Sequence, residues 1–219
     1  MKWIESVLRR RSFIAGIGGA VALAGHGSTL EAQPLAAAGW EPAHEAKDEW
    51  LDKVPGKHRM MFDSTTPDAF GSALMYAGNY YLANRDGYGL QDSDLAVVII
   101  ARHHATPFSF NDAMWSKYSA TLFRLSNFMD PKTKQAPVRN VYMGTGGSLD
   151  GLVGRGLHLA VCQMATREMA GSMAQDAGTD EDAVFNELSR NLVPNSHLVP
   201  AGIVAVNRAQ EHGYAFVNA

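Results

Sequence analysis

The run Leu95-Ala96-Val97-Val98-Ile99-Ile100 is apolar at every position and rich in β-branched residues. A strand with one face in water alternates apolar and polar residues, whereas a strand without alternation is covered on both faces, as in a parallel sheet. The stretch therefore predicts a central parallel strand with helices on either side. Toward the N-terminus, His58-Arg59-Met60-Met61-Phe62-Asp63 reads as another strand, closed by Ser64 and Thr65. Thr66 then stands as an N-cap with Pro67 at the first helical position and Asp68 in the first turn. The helix so started runs to about Asn84, with Ala73, Leu74, Ala77, Tyr80 and Tyr81 on one face, and Asp86-Gly87-Tyr88-Gly89 stops it.

Toward the C-terminus, Asn111 or Ser109 caps a helix through Trp115 and Tyr118 to about Leu125, and a polar loop follows from Asp130 to Asn140. Ser148 reads as the cap of a short helix ending at Gly154, and Leu157 to Val161 as a third strand. Gln163 to about Asp176 and Asp180 to Arg190 read as two helices split by Gly178, with Thr179 as the second cap. His197-Leu198-Val199, a helix from Gly202 to His212, and Tyr214-Ala215-Phe216-Val217 complete the pattern. Strand alternating with helix predicts an α/β domain: an open, mainly parallel sheet of about five strands with helices on both faces. Ligands in such sheets bind beyond the carboxyl ends of the strands, which singles out Asp63 to Thr66, Arg102 to Phe110, and Cys162 with its neighbours.

Residues 1–32 carry the basic stretch Arg9-Arg10-Arg11-Ser12-Phe13-Ile14, a weakly apolar Gly/Ala-rich stretch from Ala15 to Gly25, and small residues near Leu30-Glu31-Ala32. The pattern resembles a twin-arginine export signal, which implies a periplasmic mature protein delivered already folded. Its removal takes away Lys2, Arg9, Arg10, Arg11, Glu5 and Glu31 and moves the formal charge from −3 to −5. A mildly acidic domain without a basic cluster is not built for nucleic acid or anionic lipid, and no second long apolar segment predicts a membrane span. Residues 33–56, Ala/Pro-rich and then charged, read as a linker or arm with one short amphipathic turn, in which Trp40 and Trp50 pack onto the body or a partner. Residues 57–219 form the α/β domain.

Three constellations carry chemistry. Cys162, the chain's single cysteine, closes a strand at a helix start, where unpaired N–H groups and the helix dipole favour a thiolate. At this level it reads equally as a small apolar residue completing the strand. Arg102, His103 and His104 follow the central strand, with Asn111, Trp115 and Tyr118 on the next helix, and form a candidate binding site. Either histidine is a candidate ligand for a metal or haem, though no His-x-x-His or Cys-x-x-Cys spacing supports one. Gly144-Thr145-Gly146-Gly147 lacks the Lys-Ser/Thr of a phosphate loop, and no Gly-x-Ser-x-Gly elbow exists. The ten methionines sit mostly at core-like positions and read as packing residues rather than copper ligands.

The segment Gly156-Leu157-His158-Leu159-Ala160-Val161-Cys162-Gln163-Met164-Ala165 resembles the DsrE/DsrF-like family of sulfur-relay proteins. So do Leu198-Val199-Pro200-Ala201-Gly202-Ile203-Val204 and the ending Ala209-Gln210-Glu211-His212-Gly213-Tyr214-Ala215-Phe216. The likeness covers about residues 57–218. It implies a flavodoxin-like fold, a homo-oligomer such as a trimer or hexamer, no cofactor, and a persulfide carried on Cys162, exchanged with small sulfur species or a periplasmic redox protein. The segment from Arg102 to Asn140 looks enlarged relative to compact relay subunits and suggests an additional pocket. The expected function is that of a periplasmic sulfur carrier or sulfurtransferase-like protein. The alternatives are a non-catalytic ligand-, metal- or haem-binding protein using His103 or His104, and an oligomeric interaction subunit with the N-terminal arm at its interface.

Overall fold

The computed structural model describes residues 41–144 and 148–219. The expected signal segment, Trp40 and the glycine-rich residues 145–147 lie outside the described residues. Within them the alternation inferred from the sequence is realised: β1 (His58–Ser64), β2 (Leu95–Ala101), β3 (Leu157–Cys162), β4 (Ser196–Val199) and β5 (Ala215–Asn218) form one sheet. Every pairing is parallel, and the order is β4-β3-β2-β1-β5. The architecture is an open flavodoxin-like α/β sheet.

β2 is central and buried along its whole length, as its unbroken apolar run requires. Its pleat divides the core in two. Val97, Ile99 and Ala101 face a front layer formed by α2 (Pro67–Tyr88), α3 (Asp112–Ser126), α4 (Leu149–Gly154), α5 (Gln163–Ala177) and α6 (Glu181–Arg190). Ala96, Val98 and Ile100 face a thinner back layer formed by α1 (Trp50–Lys53) and α7 (Gly202–Glu211). Three successive crossovers on the front move the chain from β1 to β4, and α7 alone returns it across the back to β5.

Local chemistry sets most boundaries. Thr66 accepts a hydrogen bond from the Ala69 amide at 3.1 Å, and Pro67 occupies the first position of α2. That helix continues to Tyr88, one turn past the sequence estimate, until Gly89 takes the left-handed conformation. Asn111, rather than Ser109, caps α3 by accepting from the Met114 amide. The Ser109 hydroxyl is spent inside the preceding turn, donating to the Thr106 carbonyl at 2.7 Å. The cap of α6 is Asp180 and not Thr179: its carboxylate accepts from the Ala183 amide at 2.9 Å, and a carboxylate at a helix N-terminus also opposes the positive end of the dipole. Gly178, at φ 62°, ends α5 in a conformation that favours glycine.

Part of the expected arm belongs to the core. Leu51 and Val54 are each 2 % exposed in the back layer, and Trp50 stacks on His197 with ring centroids 3.9 Å apart. The charged appearance of residues 45–53 reflects two short helical turns, Ala46–Asp48 and α1, each with one buried residue, Asp48 and Leu51. Among the described residues no helix is long and apolar enough to cross a membrane.

Candidate functional site

The sheet brings three polar side chains to one spot. Asp63 pairs with Ile100, and Ile100 pairs with Ala160, all on the back side of the pleat. Arg102 lies two residues beyond Ile100 and Cys162 two beyond Ala160, so Asp63, Arg102 and Cys162 project to that same side at the carboxyl edge. Arg102 grips Asp63 in a bidentate pair, Nε to Oδ1 at 2.8 Å and Nη2 to Oδ2 at 2.7 Å. The carboxylate side chain is 3 % exposed and the guanidinium side chain 18 %. Planar two-point pairing of this kind fixes orientation as well as charge.

The hydrogen bonds to Asp63 hold the Arg102 guanidinium above its ordinary pKa against the opposing effect of burial. The adjoining backbone is shaped for closeness: a Cβ on Gly202 would sit 2.5 Å from the Arg102 Cβ, so only glycine lets the start of α7 approach. His103, directly after Arg102, is held at φ 52°, a conformation costing a side-chain-bearing residue about 1 kcal/mol or more.

Cys162 is the N-cap residue of α5 and is 7 % exposed. Its carbonyl accepts from the Thr166 hydroxyl at 2.9 Å, while its side chain makes no capping bond. Cys162 thus begins a fifteen-residue helix without its side chain capping it. Cys162 is paired in register with Val199 of β4. After β3 the chain turns to the front with α5, and after β4 it turns to the back with α7, so the two connections diverge between Cys162 and Val199. That is the topological switch point, where open α/β sheets bind ligands.

The remaining sequence candidates are not gathered there. Trp115 is fully buried and donates its indole N–H to the Pro107 carbonyl at 3.0 Å, and its ring packs on Phe108 in the front core. Asn111 caps α3 and donates its side-chain amide to Asn191 Oδ1. Both hold the long connection after β2 in place. His103 is exposed, and His104 Nδ1 meets the Leu125 carbonyl at 2.7 Å on the front side, away from the face that carries Cys162 and Arg102. Among the described residues neither histidine belongs to a group of three metal-ligating side chains. The enlarged segment does shape clefts: one of about 630 Å³ between α2 and residues 139–144, and one of about 460 Å³ around residues 127–134. His103, His104 and Trp115 line neither of them. Cys162, Arg102 and Asp63 line neither cleft either, so the strand-end group stands apart from them.

Sequence reasoning located Asp63, Arg102 and Cys162 at strand ends and set Arg102 beside Cys162 as a source of positive charge, but did not join Asp63 to them. The available signal was parity: each follows a strand residue of the same pleat face. The site defines an open α/β domain with a lone recessed thiol beside a helix start and a fixed arginine. No protein-family description, curated protein or solved structure matches the chain.

Proposed function

We propose that this chain is an exported sulfur carrier or sulfurtransferase-like protein of the DsrE/DsrF-like kind, in which Cys162 accepts sulfane sulfur. The observation that supports the reading is the placement of Cys162 at the switch point, on the face shared with the Asp63-held Arg102. The Cys162 thiolate attacks the outer sulfur of a donor such as thiosulfate; the S–S bond of the donor breaks, sulfite leaves with the bonding pair, and a Cys162 persulfide anion remains. No external oxidant or reductant enters this balance. The first amides of α5 and the guanidinium of Arg102 stabilise the persulfide charge. With Cys162 only 7 % exposed, the direct donor is a small sulfur species, which reaches a recessed sulfur more readily than a folded protein does.

Exposed apolar side chains stand in the first turns of the two diverging helices. Met164, in the first turn of α5, is 68 % exposed and Ile203, in the first turn of α7, is 62 % exposed. Such side chains at the mouth of a site suit coverage by a second copy of the chain, in keeping with a homo-oligomer. Export to the periplasm and the acceptor of the sulfur are part of the same proposal.

Intact-protein mass spectrometry after incubation with thiosulfate or polysulfide tests it. The expected result is an adduct of one sulfur atom that reducing agent removes and that Cys162→Ser does not form. Absence of the adduct, or an equal adduct in Cys162→Ser, overturns the assignment.

A further inference from the structure

At the opposite, amino-terminal edge of the sheet a second group of side chains converges behind α7. His212 follows the last turn of α7, and its side chain is 1 % exposed. Among the described residues neither of its ring nitrogens has a hydrogen-bond partner. The Asp52 Oδ1 atom lies 3.0 Å from Nδ1, within ion-pair distance, and the imidazole beside it holds the Asp52 carboxyl below its usual range. A neutral imidazole carries one donor and one acceptor that burial penalises when unmet, and a buried ring whose Nδ1 faces only a carboxylate and whose Nε2 faces nothing calls for a further partner.

His44 supplies the third group, its ring edge-on to His212 with centroids 4.8 Å apart. One donor atom from each of His44, Asp52 and His212 lies within 4.8 Å of the others. Two imidazoles and a carboxylate are the donor set of open zinc sites, with a fourth position left to water. Tetrahedral bonds of about 2.1 Å set ligand atoms roughly 3.4 Å apart. The 3.0 Å Asp52–His212 separation already fits, and the exposed side chain of His44 has the freedom to close the wider gap. Arg59 Nη1 also approaches Asp52 Oδ1, at 3.3 Å, but it donates to the carbonyls of Leu51 and His212 at 3.1 and 3.3 Å as well. A cation that takes the carboxylate oxygen therefore leaves the guanidinium with partners.

We propose that His44, Asp52 and His212 form a binding site for a divalent transition metal, zinc by donor type, that latches the segment around residues 44–54 to the end of α7. The ion satisfies the buried imidazole and ties the start of the segment, ahead of the packed Leu51 and Val54, to the end of α7. It lies at the other end of the strands from Cys162, so it is independent of the sulfur chemistry proposed there.

Calorimetric titration of the full chain with zinc alone, at pH 7, tests the site. The expected result is binding that His44→Ala and Asp52→Asn each weaken at least tenfold, whereas Cys162→Ser leaves it unchanged. Both side chains that these two variants alter are exposed, so the variants fold, which thermal melts verify. Zinc is also expected to slow proteolytic cleavage within residues 41–50 in the parent and not in Asp52→Asn. No binding by the parent, equal binding by both variants, or loss of binding in Cys162→Ser overturns the site.

Discussion

Replacing Arg102 by leucine removes the only cation bonded to Asp63 among the described residues and leaves that carboxylate, 3 % exposed, at the carboxyl edge of β1. Two charge-assisted hydrogen bonds of 2.8 and 2.7 Å disappear together. Removing one partner of a buried ion pair costs about 3–5 kcal/mol, because the stranded charge has lost its water without compensation. The guanidinium keeps 18 % of its side-chain surface in solvent, so water reaches the vacated place and the lower end, about 3 kcal/mol, is the expected loss. For a domain of this size that corresponds to a fall in melting temperature of roughly 6–12 °C. Urea unfolding of the full chain at pH 7, followed by circular dichroism, measures it. The double variant Asp63→Leu with Arg102→Leu removes both charges and is expected within about 1 kcal/mol of the parent, since apolar replacement of a whole buried pair is often neutral. A single-variant cost below about 1 kcal/mol, or a double variant that loses the sum of the two singles, would refute the coupling of this pair.

Two further outcomes follow from the packing. Burial, with the neighbouring His158 second, pushes His197 down to about 4, so the unfolded chain, with an ordinary histidine near 6.5, binds the proton more readily between those values. Stability contributed by the neutral ring is thus complete above pH 6.5 and lost as pH falls toward 4; because the ring is half exposed the loss is on the order of 1 kcal/mol, and the difference between urea midpoints at pH 7 and pH 5 is expected to shrink in His197→Phe. Trp115→Phe removes one of the two hydrogen bonds to the Pro107 carbonyl, which keeps the Phe110 amide, and is expected to cost about 1 kcal/mol while leaving the rate of Cys162 alkylation unchanged; normal stability with altered thiol reactivity would contradict the structural role assigned to Trp115.

The strands were legible because each is written locally: an unbroken apolar run for β2, a strand-then-cap pattern at Ser64 to Pro67, and Gly178 between two helical periods. A cap, by contrast, is decided between neighbours, and Asp180 takes it over Thr179 because its carboxylate alone reaches the Ala183 amide. The candidate site was half legible. The strand ends that hold Arg102 and Cys162 follow from periodicity, but Asn111 and Trp115, adjacent in sequence to the same loop, are turned into the scaffold of that loop by bonds to Asn191 and Pro107.

The sequence by itself determined that the chain forms a parallel α/β sheet, that β2 is its centre, and that its one thiol ends a strand at a helix start, because period and capping act over a few residues. Only the tertiary structure decided which of these residues meet. The order β4-β3-β2-β1-β5 places the divergence of connections between β3 and β4, beside Cys162. The pleat register aligns Asp63 with Arg102, 39 residues apart. The return of α7 across the back brings His212 to Asp52, which no local pattern relates. Contacts of that separation depend on strand order and on the face to which each crossover turns, and those are set by the packing of the whole sheet.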